Sequence, residues 1–243
     1  MPDRRRLRLT TWNLQGRAQP DLDAVIATIR RLGPDVVVLQ EVQRRQAARL
    51  AGRLGWFHVW TWKHWPIVHR PEGLAIVSAQ PIHGRRRWSL AAGWRFWSWR
   101  RRVALGAHVH GFTVVNVHLG AGVGGAERRR QAAVVGAEAG ARGAARVVAG
   151  DLNTRPGSSV IDAFAAWGLV DASTRATRRD IVGEGATNWR AERTAPPDQT
   201  LDFVLVDPCV TVASVGVADG GESDWAAYGA LSDHVPVTVD VLR

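Results

Sequence analysis

Short apolar runs of strand length restrict the fold of this sequence more than any other feature. The run DVVVLQ at 35–40 is largely apolar, which is typical of a strand buried on both faces. Helical patterns separate the early runs, whereas several later runs follow one another without a helix between them. A doubly wound sheet needs a helix at each crossover, so this order predicts an α/β chain with mixed sheets.

The predicted helices show the 3.6-residue apolar period. One covers 20–33 with Asp21 as its N-cap, a second covers 42–55, and a third lies near 125–142. No linker or repeat divides the chain, so we expect one domain over residues 1–243. The apolar runs predict strands at 7–14, 35–40, 56–62, 74–79, 101–110, 112–118, 146–150, 201–206, 210–217 and 235–241.

The sequence is strongly basic, with a formal net charge of +10. Such a charge favours polyanionic partners, so we expect nucleic acid, with an anionic membrane or phospholipid surface as the alternative. Arginine supplies nearly all of the positive charge, because Lys63 is the only lysine. No obligate protein partner is inferred. Runs of three arginines occur at 4–6, 85–87, 100–102 and 128–130.

Cysteine usage and the first residues indicate the compartment. Cys209 is the only cysteine, so an internal disulfide and a cysteine-based zinc site are both excluded. No apolar run has the length of a membrane span, and the start lacks the apolar region of a secretory signal. We therefore expect a cytoplasmic protein. A signal peptide already removed is the alternative that the sequence leaves open.

A carboxylate and a carboxamide follow the predicted strand at 146–150. In a strand, residues i and i+2 point to the same face, so Asp151 and Asn153 can be directed at one spot beyond its end. The alternative is ordinary turn chemistry, because Asp and Asn commonly bond their own backbone in loops.

Other polar residues lie at strand ends in the same way. Singly, each has a structural explanation: Glu41 can cap the next helix, and His118 can be a core histidine. Together they supply oxygen ligands and two imidazoles, a combination that favours Mg²⁺ or Mn²⁺ over zinc. Charges near buried strands are costly unless a metal or partner compensates them. The set comprises Asn13, Glu41, Glu72, His118, Asp202, Asp233 and His234.

The ordered motifs TWNLQG, LQEV, EGLAIVS, NVHLG, GDLNTRPG, LDFVLV and SDHVPV resemble those of the endonuclease/exonuclease/phosphatase superfamily. The resemblance runs from Asn13 to His234. It implies a four-layer α/β sandwich, in which two central mixed β-sheets pack face to face between helices. NVHLG, with its histidine, resembles the deoxyribonuclease, sphingomyelinase and phosphatase branches and differs from the exonuclease III branch, which has a tyrosine motif near this segment.

The resemblance also implies roles for individual residues. Glu41 resembles the principal ligand of Mg²⁺ or Mn²⁺, with Asn13 beside it and Asp233 as a second carboxylate on the metal side. Asp151 resembles the group that orients or deprotonates the attacking water. Asn153 resembles a donor to a phosphate oxygen.

Two carboxylate–imidazole pairs complete the implied catalytic set. Asp202 would hold His234 against the phosphate, and Glu72 would hold His118 in the same way. The implied reaction is phosphodiester hydrolysis by in-line attack of water, which needs charge neutralisation and general acid–base help. A Mg²⁺-dependent nuclease is the expected function, and a phosphatase or sphingomyelinase-like enzyme on small or lipid phosphoesters is the alternative.

The segment at 85–102 interleaves arginine with aromatic residues. Arg85, Arg86 and Arg87 are candidates for binding substrate phosphates. The alternatives are a membrane-interface anchor and a hairpin whose tryptophans fill a core. Asn188 and Trp189 are weaker candidates for a substrate-side loop.

Overall fold

The structure is a computed structural model that describes residues 5–63, 72–90, 102–140, 145–180, 185–218 and 225–243. Its elements in chain order are β1 (Arg6–Asn13), α1 (Leu22–Leu32), β2 (Val36–Gln43), α2 (Arg44–Leu54), β3 (Phe57–Trp62), β4 (Glu72–Ser78), β5 (His83–Ser89), β6 (Val103–Val109), β7 (Phe112–His118), α3 (Gly125–Gly140), β8 (Arg146–Asp151), α4 (Ser159–Ala165), β9 (Val170–Asp171), α5 (Ala172–Arg175), β10 (Arg178–Asp180), β11 (Asp202–Val206), β12 (Thr211–Val217), α6 (Trp225–Leu231) and β13 (Val237–Leu242).

These strands form two mixed sheets. A seven-stranded sheet has the order β10-β12-β13-β1-β2-β4-β3, and a six-stranded sheet has the order β5-β6-β7-β8-β11-β9. β1 pairs with β2 in parallel, and β7 pairs with β8 in parallel, whereas β13 and β4 run antiparallel to their neighbours β1 and β2. The sheets pack against each other with helices outside, so the predicted four-layer sandwich is confirmed.

The alternation of side chains along β7 shows how the layers are held together. Val114 belongs to the large apolar cluster that joins the two sheets, whereas Val115 and Val117 belong to the cluster shared with α3 and α4. Successive residues of a strand point to opposite faces, and all of β7 is buried. The continuous apolar pattern of this segment therefore reflects a strand covered on both sides.

A polar contact crosses the apolar interface between the sheets. Asn116 of β7 donates its amide hydrogens to the carbonyls of Leu39 (2.9 Å) and Ala75 (2.8 Å) in the opposite sheet. The amide of Gln40 donates to Asn116 Oδ1 at 2.8 Å. Both side chains are fully buried, so their amides rely on protein partners rather than bulk water. The contact fixes β7 against the end of β2.

Most predicted elements are confirmed, with one informative shift. Helix α1 begins after Asp21, which accepts from the backbone amides of Asp23 and Ala24. The helix predicted over 42–55 begins instead at Arg44, because β2 continues through Gln43. The single-domain prediction stays a prediction. In the described part of the chain, no helix combines the length and apolarity needed to cross a bilayer.

The amide contact between the sheets leads to a stability prediction. Asn116→Leu should lower the free energy of unfolding, because each buried polar group left without a partner costs about 1–3 kcal/mol. The double variant with Gln40→Met should lose less than the sum of the single losses, since both partners are then removed. Urea unfolding of the four proteins measures this coupling. Strict additivity would show that the amides do not stabilise each other.

Candidate active site at one edge of the sandwich

The strand ends that carry the predicted polar residues meet at one edge of the two sheets. In the six-stranded sheet, His118, Asp151 and Asp202 are register partners across three neighbouring strands. In the other sheet, Asn13 ends β1, and Glu41 lies near the end of its parallel neighbour β2. The two sheets therefore contribute to one cluster from opposite sides.

Asp151 lies at the centre of this cluster. Its Oδ2 accepts from Asn13 Nδ2 at 3.1 Å and lies 3.4 Å from His118 Nε2 and 3.9 Å from His234 Nε2. The residue is only 2% exposed. Burial raises the pKa of Asp151 to about 6, against the opposing effect of the positive charge of His234. A carboxylate with such a pKa is suited to accept a proton near neutral pH.

His234 and Asp202 form a buried pair, as the resemblance implied. His234 Nδ1 lies 2.7 Å from Asp202 Oδ2, and Thr187 Oγ1 donates to the same oxygen at 2.7 Å. Burial alone would lower the pKa of His234, but the charge of Asp202 and its hydrogen bond outweigh this and raise it to about 10. His234 therefore presents a cation beside Asp151 at neutral pH.

Asn153 adopts the turn geometry that the sequence left open as an alternative. Its backbone N–H donates to Asp151 Oδ1 at 2.9 Å, and its φ of 48° lies in the left-handed region. Its side-chain amide donates to Leu119 O at 3.0 Å. The turn thus fixes the Asp151 carboxylate and holds Asn153 next to it. A catalytic role for Asn153 stays a prediction.

The position before Asp151 requires a glycine, Gly150, because of close packing against β7. Its φ is 147°, and a Cβ added there would overlap the backbone of Val117. Glycine therefore allows β7 and β8 to approach closely just before His118 and Asp151.

A β-bulge directs Glu41 into the site. Gln40 pairs with Leu74 and Val42 pairs with Gly73, so Glu41 is an extra residue in β2. Its φ of 53° is unusual for a residue other than glycine. Because of this bulge, the Glu41 side chain does not follow the regular alternation of side chains along β2, which is otherwise largely buried. It also explains why α2 begins later than the periodicity predicts.

Lys63 lies inside the site and forms an ion pair with Glu41, although its side chain is only 6% exposed. Its Nζ is also 3.7 Å from Glu72 Oε2. Burial lowers the pKa of Lys63, against the opposing effect of Glu41. Burial would raise the pKa of Glu41, but the ammonium of Lys63 keeps it below its usual value. The pKa of Glu72 is raised by burial and by the charge of Glu41.

The proposed pairing of Glu72 with His118 stays a prediction. The carboxylates close to His118 include Asp151 and Glu41, whose Oε1 is 3.7 Å from Nδ1. Glu72 is the first residue of β4, where its backbone pairs with Gln43 and its side chain contacts Lys63.

Two residues that sequence reasoning missed, Gln15 and Thr187, form hydrogen bonds with predicted site residues. Gln15 donates from Nε2 to Asp233 Oδ2 at 3.0 Å, and its backbone N–H donates to Asn13 Oδ1 at 3.1 Å. Thr187 holds Asp202, as described above. Gln15 lies within the TWNLQG motif, two residues after Asn13, and Thr187 lies directly before Asn188, but nothing in their local pattern marks these long-range contacts.

The oxygen donors of the cluster fit Mg²⁺ in the way this ion usually binds proteins. Among the described residues, no group of three His, Cys, Asp or Glu side chains converges in metal-ligand geometry. Mg²⁺ typically uses one or two carboxylates and keeps several waters. Glu41 already faces a cation, the ammonium of Lys63, and Asn13 and Asp233 supply further oxygens. The donor set therefore suits a hydrated Mg²⁺ or Mn²⁺ better than a metal enclosed by protein ligands.

The weaker candidates are dispersed around this centre. Asn188 is tied to the site, because its Nδ2 donates to Asp233 O at 2.9 Å. Trp189 is 5% exposed and packs against Trp225 at a ring distance of 6.3 Å, which argues against stacking on a substrate. Its Nε1 donates to Ala195 O.

The arginines of β5 differ in their surroundings. Arg86 pairs with Glu138 of α3 at 2.8 Å and lies over the ring of Trp88. Arg85 donates to Trp60 O at 2.8 Å, from an exposed position, and Arg87 is exposed as well. Their role in substrate binding stays a prediction. The aromatic residues Trp94, Phe96, Trp97 and Trp99 lie outside the described residues.

Comparisons with known proteins extend these observations. The sequence model of the Endonuclease/Exonuclease/phosphatase family matches residues 10–234. No curated protein matches the chain. A Bacteroides thetaiotaomicron mannosyl-6-phosphatase has a TM-score of 0.77 at 17% identity, covering 97% of this chain and 99% of its own.

Two further structures are similar over nearly all of this chain. An endonuclease/exonuclease/phosphatase from Beutenbergia cavernae has a TM-score of 0.72 at 25% identity, covering 98% of this chain and 71% of its own. D. rerio TDP2 complexed with a single-strand DNA product has a TM-score of 0.70 at 16% identity, covering 97% of this chain and 98% of its own.

The His234–Asp202 pair leads to a titration prediction for the metal-free protein. The imidazole of His234 should stay protonated well above neutral pH, with a pKa of about 10, because the Asp202 carboxylate stabilises the charge. In Asp202→Asn, the proton should be lost at a lower pH, since only Asp151 and Asp233 then oppose the effect of burial. Imidazole ¹⁵N NMR measures both values, with Asp162→Asn on α4 as the control. An unchanged His234 pKa in Asp202→Asn would contradict the pairing.

Proposed function

The chain belongs to the endonuclease/exonuclease/phosphatase family, and from this premise we propose that it is a Mg²⁺-dependent phosphodiesterase that cleaves nucleic acid. Members of this family are hydrolases of phosphoester bonds. The observation that carries the proposal is the cluster of Asp151 with Asn13 and two imidazoles, within 4 Å of one carboxylate oxygen.

In this proposal, Asp151 accepts the proton of the attacking water. Its raised pKa gives it enough basicity, and the turn at Asn153 fixes its orientation. Asn13 holds the same carboxylate from the opposite sheet. The amide of Asn153, beyond its bond to Leu119, has a second hydrogen that can be donated to a phosphate oxygen.

The two histidines then act on the phosphate. His234, protonated and held by Asp202, offers a positive charge to the non-bridging oxygens as negative charge develops on them. His118 lies on the other side of Asp151 and is assigned to the leaving oxygen. General acid–base groups of this kind each contribute about 10²–10⁴-fold to the rate.

The metal would be held by Glu41, Asn13 and Asp233, with waters completing its coordination. When bound, Mg²⁺ or Mn²⁺ supplies positive charge that stabilises the transition state of phosphoryl transfer. Gln15 supports this set, because it bonds both Asn13 and Asp233.

Exposed positive charge favours a polymeric substrate. Arg85 and Arg87 are exposed on β5, the edge strand of the six-stranded sheet, and the end of β5 lies at the same edge as His118. The likeness to TDP2 bound to a DNA product points the same way. The second candidate, a phosphatase acting on small phosphoesters, is supported by the likeness to mannosyl-6-phosphatase.

The metal assignment predicts a strict cation requirement. Purified protein incubated with plasmid, single-stranded DNA, RNA, sphingomyelin and phosphomonoesters should hydrolyse nucleic acid with Mg²⁺ or Mn²⁺, and EDTA should abolish this activity. Glu41→Gln should need far more metal for half-maximal rate, because the amide is a weaker ligand. Full activity in EDTA would refute the metal assignment, and cleavage of phosphomonoesters alone would favour the phosphatase.

The arginine assignment predicts a specific change in salt dependence. The logarithm of nucleic-acid affinity should fall linearly with that of salt concentration. The double variant Arg85→Gln/Arg87→Gln should reduce this slope by about 1 for each guanidinium that no longer binds a phosphate. Arg86→Gln is the matched control, because its guanidinium is engaged by Glu138. Fluorescence anisotropy gives the slopes. Equal slopes for all proteins would place the binding surface elsewhere.

A further inference from the structure

Lys63 is an unusual feature of the site, because a buried ammonium lies between two carboxylates. Its Nζ forms an ion pair with Glu41 Oε1 and is 3.7 Å from Glu72 Oε2. The three side chains are 6%, 20% and 10% exposed. Burying charges is costly unless they compensate one another, so this lysine is part of the electrostatic balance of the site.

The two carboxylates keep further acceptor capacity that Lys63 does not use. The contacts of Glu41 with Lys63 and with His118 are both made by Oε1, so Oε2 takes part in neither of them. Oε1 of Glu72 is buried and has no hydrogen-bond partner among the described residues. The position of Lys63 Nζ is therefore close to oxygens of both Glu41 and Glu72. On Glu72, the other oxygen is left without a hydrogen-bond partner among the described residues.

We propose that the ammonium of Lys63 fills a cation position between Glu41 and Glu72, and that it thereby limits the chain to one divalent cation. The inference rests on the proposed metal-dependent function. Lys63 is a positioning residue here: it neutralises Glu72, engages one oxygen of Glu41 and leaves the other to the metal that Asn13 and Asp233 share.

The charges around Glu41 and Glu72 fit a monovalent cation in the position between these two carboxylates. Arg102 acts electrostatically on Glu41 and on Lys63, and Arg17 acts on Glu72. With these guanidinium groups nearby, two carboxylates are balanced by an ammonium without the larger charge of a metal ion. Removing Lys63 leaves two half-buried carboxylates with like charge, which is the arrangement that attracts a divalent cation.

The number of bound Mn²⁺ ions tests this inference independently of catalysis. Electron paramagnetic resonance titration of the full chain should give one Mn²⁺ for the wild type and two for Lys63→Met. Lys63→Arg should give one, because it keeps the positive charge. The double variant Lys63→Met/Glu72→Gln should also return to one, since the second site then lacks a carboxylate. Arg53→Met, an exposed cation of α2, is the control and should give one.

The outcomes separate this inference from the proposed function. Two Mn²⁺ ions in the wild type would overturn the inference while the metal-dependent function stands. One Mn²⁺ in a Lys63→Met variant with wild-type circular dichroism would also overturn it, and would leave Lys63 free to contact the substrate phosphate. If Lys63→Met does not fold, the number of Mn²⁺ ions bound by the wild type decides whether the inference stands. A wild type that binds no Mn²⁺ would overturn the metal assignment and this inference together.

Discussion

The buried carboxylate of Asp151 is the constraint on which the site depends. A charge at 2% exposure is costly, and here groups from both sheets and from the turn at Asn153 stabilise it. Asn13, which donates to Asp151, comes from the seven-stranded sheet. His118, the register partner of Asp151, comes from the six-stranded sheet. The site therefore exists only when the two sheets are packed face to face. Fold and chemistry are coupled through this one residue.

Backbone irregularities, together with the regular register of β7, β8 and β11, place the groups around Asp151. The bulge at Glu41 turns its carboxylate out of the alternation of β2, and the contact of Gln40 with Asn116 anchors the residue before it. Gly150 allows β8 to approach β7 closely just before Asp151. Such positions cost conformational free energy, about 1–3 kcal/mol for a non-glycine residue in the left-handed region. Packing between the sheets must supply that energy.

The sequence predicted the ends of strands well because a buried strand needs a long apolar run, and any polar residue that ends it stands out. Asp151, His118 and Asp202 were found in this way. The ion pairs of Lys63 and the hydrogen bonds of Gln15 depend on contacts between distant segments, for which a local pattern carries no information. The start of α2 was misplaced because its periodicity extends into residues that the bulge keeps in β2. Pattern reasoning thus fails where tertiary contacts override local preference.

The balance of charge within the site bears on the proposed use of a divalent cation by a chain that is basic as a whole. Arg86 forms an ion pair with Glu138, so Arg86 adds little to the attraction for a phosphate at this edge, although the formal net charge of the chain is +10. Within the cluster, five carboxylates lie close together, with the cations of Lys63 and His234 among them and Arg102 and Arg17 acting on Glu41 and Glu72. The carboxylates are Glu41, Glu72, Asp151, Asp202 and Asp233. These carboxylates repel an anionic phosphate, and further positive charge reduces that repulsion. In the proposed function, a divalent cation held by Glu41 would supply that charge beside the phosphate.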